Sequence, residues 1–279
     1  MKDWVSFTAP DARVLLVDDI PTNLAISAGM LGDYHVQVDT CSSGEEAIAR
    51  VRDMQYDIVF MDHMMPGMDG MESTRHIREI EGDYYRNLPI IALTANSIPG
   101  MRELFLGEGF NDFLTKPIEP EKLAGVMNVW IPEGKKQKRS APEKDDGLEI
   151  FTDDLQVEGL DIAKGKAQFR EKGYFRVLKS YCTHTPALLE KIKDLTKNPL
   201  SEETIGEYII DMHGIKGSTF GICADDIAKQ AEDLEAAARN GDRQFIELGN
   251  TLFIWALENL IQSIEELLEK VKDRIGPDQ

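Results

Sequence analysis

The chain has 279 residues, enough for two domains of ordinary size, and its 50 acidic against 31 basic side chains give a formal net charge of -19. Such an excess of acid argues against nucleic-acid binding, which needs a basic face, and no apolar run approaches the roughly twenty residues of a membrane span. Met1-Lys2-Asp3-Trp4 leads into no signal-peptide core, and Cys41, Cys182 and Cys223 offer neither metal spacing nor a disulfide framework, so a cytoplasmic chain without membrane contact is expected.

Five short apolar runs come first: RVLLVDD (13–19), VQVDT (36–40), DIVFMDH (57–63), PIIALTA (89–95) and DFLTKP (112–117). Several are apolar on both faces, as central parallel strands are, and the segments between them, such as GEEAIARVRDM and MESTRHIREIE, have helical spacing. Five βα units predict an α/β doubly wound, five-stranded parallel sheet with helices on both faces. The pattern stops after LAGVMNVWIP, and EGKKQKRSAPEKDDG (133–147) reads as a linker whose Lys135, Lys136, Lys138 and Arg139 are solvated charge. From Leu148 onward only helical spacing remains, punctuated at Asn198-Pro199 and Asn240-Gly241-Asp242. This predicts an all-α antiparallel bundle in which Pro186 kinks or ends a helix.

In open α/β sheets, ligands bind beyond the carboxyl ends of the strands. Asp18 and Asp19 close the first strand, Asp62 the third, Thr94 the fourth and Lys116 the fifth, so all five face one rim. Three clustered carboxylates repel one another and call for a cation; hard oxygen donors with room for water favour Mg²⁺. A carboxylate, a metal, a hydroxyl and an ammonium together suit phosphoryl transfer. No GxGxxG follows the first strand, which removes a Rossmann reading. Met64 stands where a haloacid-dehalogenase-like phosphatase would want a second aspartate.

With VDD (17–19), MDHMMPGMDG (61–70), LTA (93–95) and TKP (115–117), residues 12–130 resemble response-regulator receiver domains. The resemblance implies that Asp62 takes a phosphoryl group as an aspartyl phosphate. It implies that Asp18, Asp19, Asp62 and the backbone carbonyl of Met64 hold Mg²⁺, and that Thr94 and Lys116 bind phosphoryl oxygens. Phe113 stands at the family's switch aromatic and Thr94 at its switch hydroxyl.

One helical stretch, DMHGIKGSTFG (211–221), holds Gly214, Gly217 and Gly221 around His213 and Lys216. Each glycine inside a helix costs about 1 kcal/mol relative to alanine. At 100° per residue, Ile205, Tyr208, Met212, Ile215, Thr219 and Ile222 form the core stripe, which leaves His213 outside it and open to solvent. Gly214 and Gly217 then strip bulk from the face around the ring, where another protein's active site could dock, and Lys216 lies one turn on. HGIKGS (213–218) resembles the signature of histidine phosphotransfer (HPt) domains, a match extending over residues 155–275 and departing from the common pattern at Cys223, where glycine is frequent. His184 is a rival acceptor without a following Lys-Gly; His35, His63 and His76 have ordinary surface explanations.

The expected organisation is a receiver over 1–132, a flexible linker over 133–150 and an HPt domain over 151–279. By resemblance the chain is a phosphorelay protein rather than an enzyme with its own kinase domain. Asp62 accepts from an upstream sensor histidine kinase domain, and the group is relayed through His213 to or from another receiver. In the alternative, the phosphorylated receiver regulates a docking partner and the HPt bundle is a phosphate sink.

Overall fold

The computed structural model describes residues 4–94, 101–138 and 149–275 and divides into two compact units, Met1–Pro142 and Glu143–Gln279. In the first, a short strand β1 (Phe7–Thr8) precedes β2 (Arg13–Val17), α1 (Pro21–Leu31), β3 (Gln37–Cys41), α2 (Gly44–Asp53), β4 (Ile58–Asp62), α3 (Gly70–Glu79), the short α4 (Asp83–Asn87) and β5 (Ile90–Thr94). Then follow α5 (Met101–Gly107), β6 (Asp112–Thr115), α6 (Pro120–Trp130) and a second two-residue strand, β7 (Gln137–Lys138). Strands β2 to β6 form one parallel sheet in the order β3-β2-β4-β5-β6, which is the predicted architecture. Every residue of β4 and β5 is buried, in keeping with their runs of apolar side chains. Local chemistry sets the helix starts: Ser43 and Asp69 cap α2 and α3 by accepting from the backbone N–H of Glu46 and Glu72, and Pro21 and Pro120 open α1 and α6.

The linker expectation is corrected at its start. Residues Glu133–Lys135 form a 3-10 turn, and β7 pairs antiparallel with β1, Phe7 opposite Lys138 and Thr8 opposite Gln137. Lys135 Nζ is 2.7 Å from Asp57 Oδ2, and Lys136 Nζ donates to the Asn128 carbonyl at 2.6 Å while lying 5.2 Å over the Phe7 ring. A nearby carboxylate and ring thus give these lysines fixed partners in place of solvent. Residues 139–148 of the expected linker, and Ala95, lie outside the described residues, and the linker's last residue, Ile150, is fully buried and donates its N–H to Glu171 at 3.1 Å.

The second unit consists of α7 (Ile162–Leu195), α8 (Ile205–Gly221), α9 (Asp225–Arg239) and α10 (Arg243–Val271). Neighbours α7·α8, α8·α9, α9·α10 and α10·α7 pack in a ring, the arrangement of an antiparallel bundle, as expected. Pro186 does not end its helix, which runs on to Leu195; the interruption in α7 falls at Arg170, whose backbone leaves helical geometry at φ 62 and ψ 173. None of the described helices is long and apolar enough to cross a membrane.

Candidate functional site

The parallel register carries the rim residues to one edge. Asp62, at the end of β4, pairs with Leu93 of β5, so Thr94 extends one residue further, and Lys116 N–H donates to the Thr94 carbonyl at 2.6 Å. Asp18, Asp19 and Asp62 each offer an oxygen within 4.8 Å of the others. Lys116 Nζ spans two of them, 2.6 Å from Asp18 Oδ2 and 2.7 Å from Asp62 Oδ2. Asp18 Oδ1 accepts from Ile20 N–H and Asn23 Nδ2, both at 3.0 Å, and Met64 N–H donates to Asp62 Oδ1 at 3.3 Å.

Burial, together with the repulsion of Asp62, outweighs the attraction of Lys116 and raises the Asp18 carboxyl to about 6. Burial and then the charges of Asp18 and Asp62 raise Asp19 to about 7. Burial pulls the Lys116 ammonium down, but Asp18 and Asp62 more than reverse this and hold it above its ordinary value. Asp18 and Asp19 are thus carboxyls short of positive charge, and the all-oxygen donor set fits Mg²⁺. Thr94 is fully buried; Phe113 on β6 is half-buried, its ring 6.2 Å from that of Phe105. Sequence reasoning assigned no role to Gly70, yet a Cβ there would lie 2.1 Å from the backbone oxygen of Asp62. The loop after β4 closes against the acid only because that position has no side chain.

His213 is placed differently from the expectation. It is only 5% exposed, because α8 packs against both α7 and α9 and burial reaches past the single stripe. Gly214 is likewise buried, which removes it from any exposed docking face; Gly217 is half-buried. Lys216, expected one turn from the ring, meets the same acid as His213. Glu235 of α9 accepts from His213 Nδ1 at 3.0 Å through Oε1 and from Lys216 Nζ at 2.7 Å through Oε2, and Arg239 Nη2 lies 2.7 Å from Oε1. Burial alone would raise the Glu235 carboxyl, but the hydrogen bonds and charges of His213 and Lys216 hold it far below the usual range. An ionised carboxylate only accepts, so Nδ1 carries the hydrogen. Glu235 and Arg239 were missed by sequence reasoning. The available signal was an acid inside the apolar stripe Ile227, Ala231, Leu234, Ala238 of α9. The rival His184 is tied to its own helix, Nδ1 at 2.9 Å from the Ser180 carbonyl.

Comparison with known proteins matches residues 14–128 to the response regulator receiver domain family. The chain is 38% identical over 172 residues to the sensor histidine kinase GacS of Pseudomonas protegens, covering 60% of this chain and 18% of that protein. It is 37% identical over 119 residues to the signal transduction histidine-protein kinase BarA of Escherichia coli K12, covering 43% of this chain and 13% of that protein. The chain thus spans less than a fifth of the length of these relatives. Among solved structures, the receiver domain of the sensor histidine kinase PA1611 from Pseudomonas aeruginosa, with a magnesium ion coordinated in its active-site cleft, is 37% identical. The match covers 43% of this chain and 97% of that one, at a TM-score of 0.40.

Proposed function

We propose, from the premise that residues 14–128 are a response regulator receiver domain homologous to the receiver parts of hybrid histidine kinases, that the chain carries phosphoryl groups in a two-component phosphorelay. Asp62 is the first acceptor and His213 the second. The carrying observation is the rim, where Lys116 Nζ stands 2.7 Å from Asp62 Oδ2 between that acid and Asp18.

In this reading an Asp62 oxygen forms the new bond to phosphorus while the donor's bond to it breaks. Lys116, already against Asp62, is placed to meet the oxygens of the arriving group, and the Thr94 hydroxyl meets another. Asp18, Asp19, Asp62 and the Met64 carbonyl would hold Mg²⁺, which when bound supplies positive charge against the phosphoryl oxygens.

For the helical unit, the support is Glu235. By taking the hydrogen bond from Nδ1, it leaves Nε2 as the nitrogen that carries the lone pair when the ring is in its neutral form. Nε2 forms the bond to phosphorus, the bond to the aspartate oxygen breaks, and the aspartate leaves as carboxylate. Lys216, whose ammonium donates to Glu235 in the same cluster, provides the charge-assisted partner for the transferred oxygens. Because His213 is 5% exposed, the side chains over the ring must part when a receiver docks. Upstream we place a sensor histidine kinase domain, and downstream another receiver.

The test is incubation with radiolabelled acetyl phosphate and Mg²⁺, followed by acid and base treatment. The reading expects a base-labile label that Asp62→Asn removes and an acid-labile, base-stable label that His213→Gln removes. Labels that survive both substitutions overturn it.

A further inference from the structure

We propose that the outward face of α10 pairs with the same face of a second copy of this chain, antiparallel, through Phe245, Leu248, Leu252 and Trp255. These four side chains are 46%, 70%, 68% and 66% exposed, the largest concentration of bare apolar surface on the described residues of this unit. Their spacing of three, four and three residues lines them along one stripe of the helix. The opposite side, with Ile246, Phe253, Leu257 and Leu260, is buried in the bundle, so the stripe is surplus to the core.

Three observations point to a second copy as the occupant. The stripe is symmetric about residue 250, with an aromatic side chain at each end and two leucines between. Turned end over end, it sets Phe245 against Trp255 and Leu248 against Leu252, each pairing occurring twice, as an isologous two-fold contact requires. The stripe itself is uncharged: Gln244, Thr251, Asn259 and Gln262, exposed beside it or continuing it, carry no charge, while the exposed acids Glu247 and Glu258 lie further round the helix and Glu266 beyond the stripe's end. In a chain of net charge -19, two copies repel wherever acids meet, and a neutral seam is where they can close. Finally, at these exposures the four side chains present roughly 500 Å² of apolar surface per copy, at the upper end for a monomer's largest patch. Two copies together bury on the order of 1,000 Å², the lower bound for a specific interface. Since α10 packs on α7 and α9, it stands diagonally across the bundle from α8 and its His213. Pairing through α10 therefore leaves the histidine's helix available.

The test is light scattering of the full chain across a concentration series. The expected mass is twice 31.4 kDa, reverting to the single-chain mass in Leu248→Glu/Leu252→Glu with unchanged circular dichroism and unchanged His213 labelling. Register is read independently, and without need of the glutamate variant, by oxidising cysteine variants. Leu248→Cys mixed with Leu252→Cys should cross-link between copies, and neither alone should do so efficiently. A single-chain mass at every concentration overturns the proposal, as does a double variant that folds and remains dimeric. Cross-linking within each single variant that equals or exceeds that in the mixture overturns the antiparallel register. Capture of another protein by this face of a monomeric chain would assign the stripe to that partner instead.

Discussion

Burial and mutual repulsion lift the Asp18 and Asp19 carboxyls from 3.8 to about 6 and about 7. Between roughly pH 4 and 7 the folded chain therefore binds more protons than the unfolded one, and the stability contributed by these two groups falls as pH rises through that window. A divalent cation relieves the repulsion only where the acids are ionised. Mg²⁺ should raise the melting temperature of the first unit by several degrees at pH 8 and hardly at pH 5, at roughly 4 °C per kcal/mol for a domain of this size; equal shifts at both values would deny the cluster its metal. Gly70→Ala tests the close approach to Asp62: the added Cβ, 2.1 Å from a backbone oxygen, should cut Asp62 labelling at least tenfold, as read with acetyl phosphate, without replacing any reacting group. On the other unit, Glu235→Ala leaves Lys216 buried and unpaired and should cost about 3–5 kcal/mol by denaturant titration. Glu235→Gln, which still offers Nδ1 an acceptor, should keep the fold and most of the His213 labelling. The rim acids were legible because a parallel sheet brings every strand end to one edge, so position along the chain maps onto position at the rim. Glu235 was not, since it comes from another helix, 22 residues away, and which faces meet is decided by packing between helices.

The five core strands and the α10 stretch could be read from periodicity because a two-sided apolar run or a long amphipathic one admits few alternatives. The pair β1 and β7 could not, as two residues carry no period; tertiary contact with Tyr34, whose ring is 5.4 Å from Phe7, holds that strand in place. Pro186 predicts a kink or an end in α7, but the helix continues past it to Leu195, whereas Arg170, with no proline or glycine signature of its own, adopts φ 62. Cys223, at a position where the resembling histidine phosphotransfer pattern often has glycine, follows α8 with φ 69, a left-handed conformation that glycine takes without strain and other residues adopt at about 1–2 kcal/mol. Cys223→Gly should leave thermal stability within about 1 kcal/mol of wild type, while Cys223→Val, β-branched at the same angle, should lose at least that much. If the valine variant melts with the wild type, the strain at this turn is absent.

Because the chain divides into units Met1–Pro142 and Glu143–Gln279, each with its own core, calorimetry should resolve two transitions, and Mg²⁺ at pH 8 should move one and leave the other. A single transition that shifts as a whole would mean that the two cores unfold together. The antiparallel pairing of β1 with β7 has a mechanical consequence. Phe7 lies opposite Lys138 and Thr8 opposite Gln137, so the start of β1 and the end of β7 stand side by side at one end of that ladder. Tension applied through the flanking chain opens such a ladder like a zipper, one rung at a time, rather than shearing all its rungs together. The small clasp yields first at low force, while the five-stranded sheet behind it bears no load until the clasp is open.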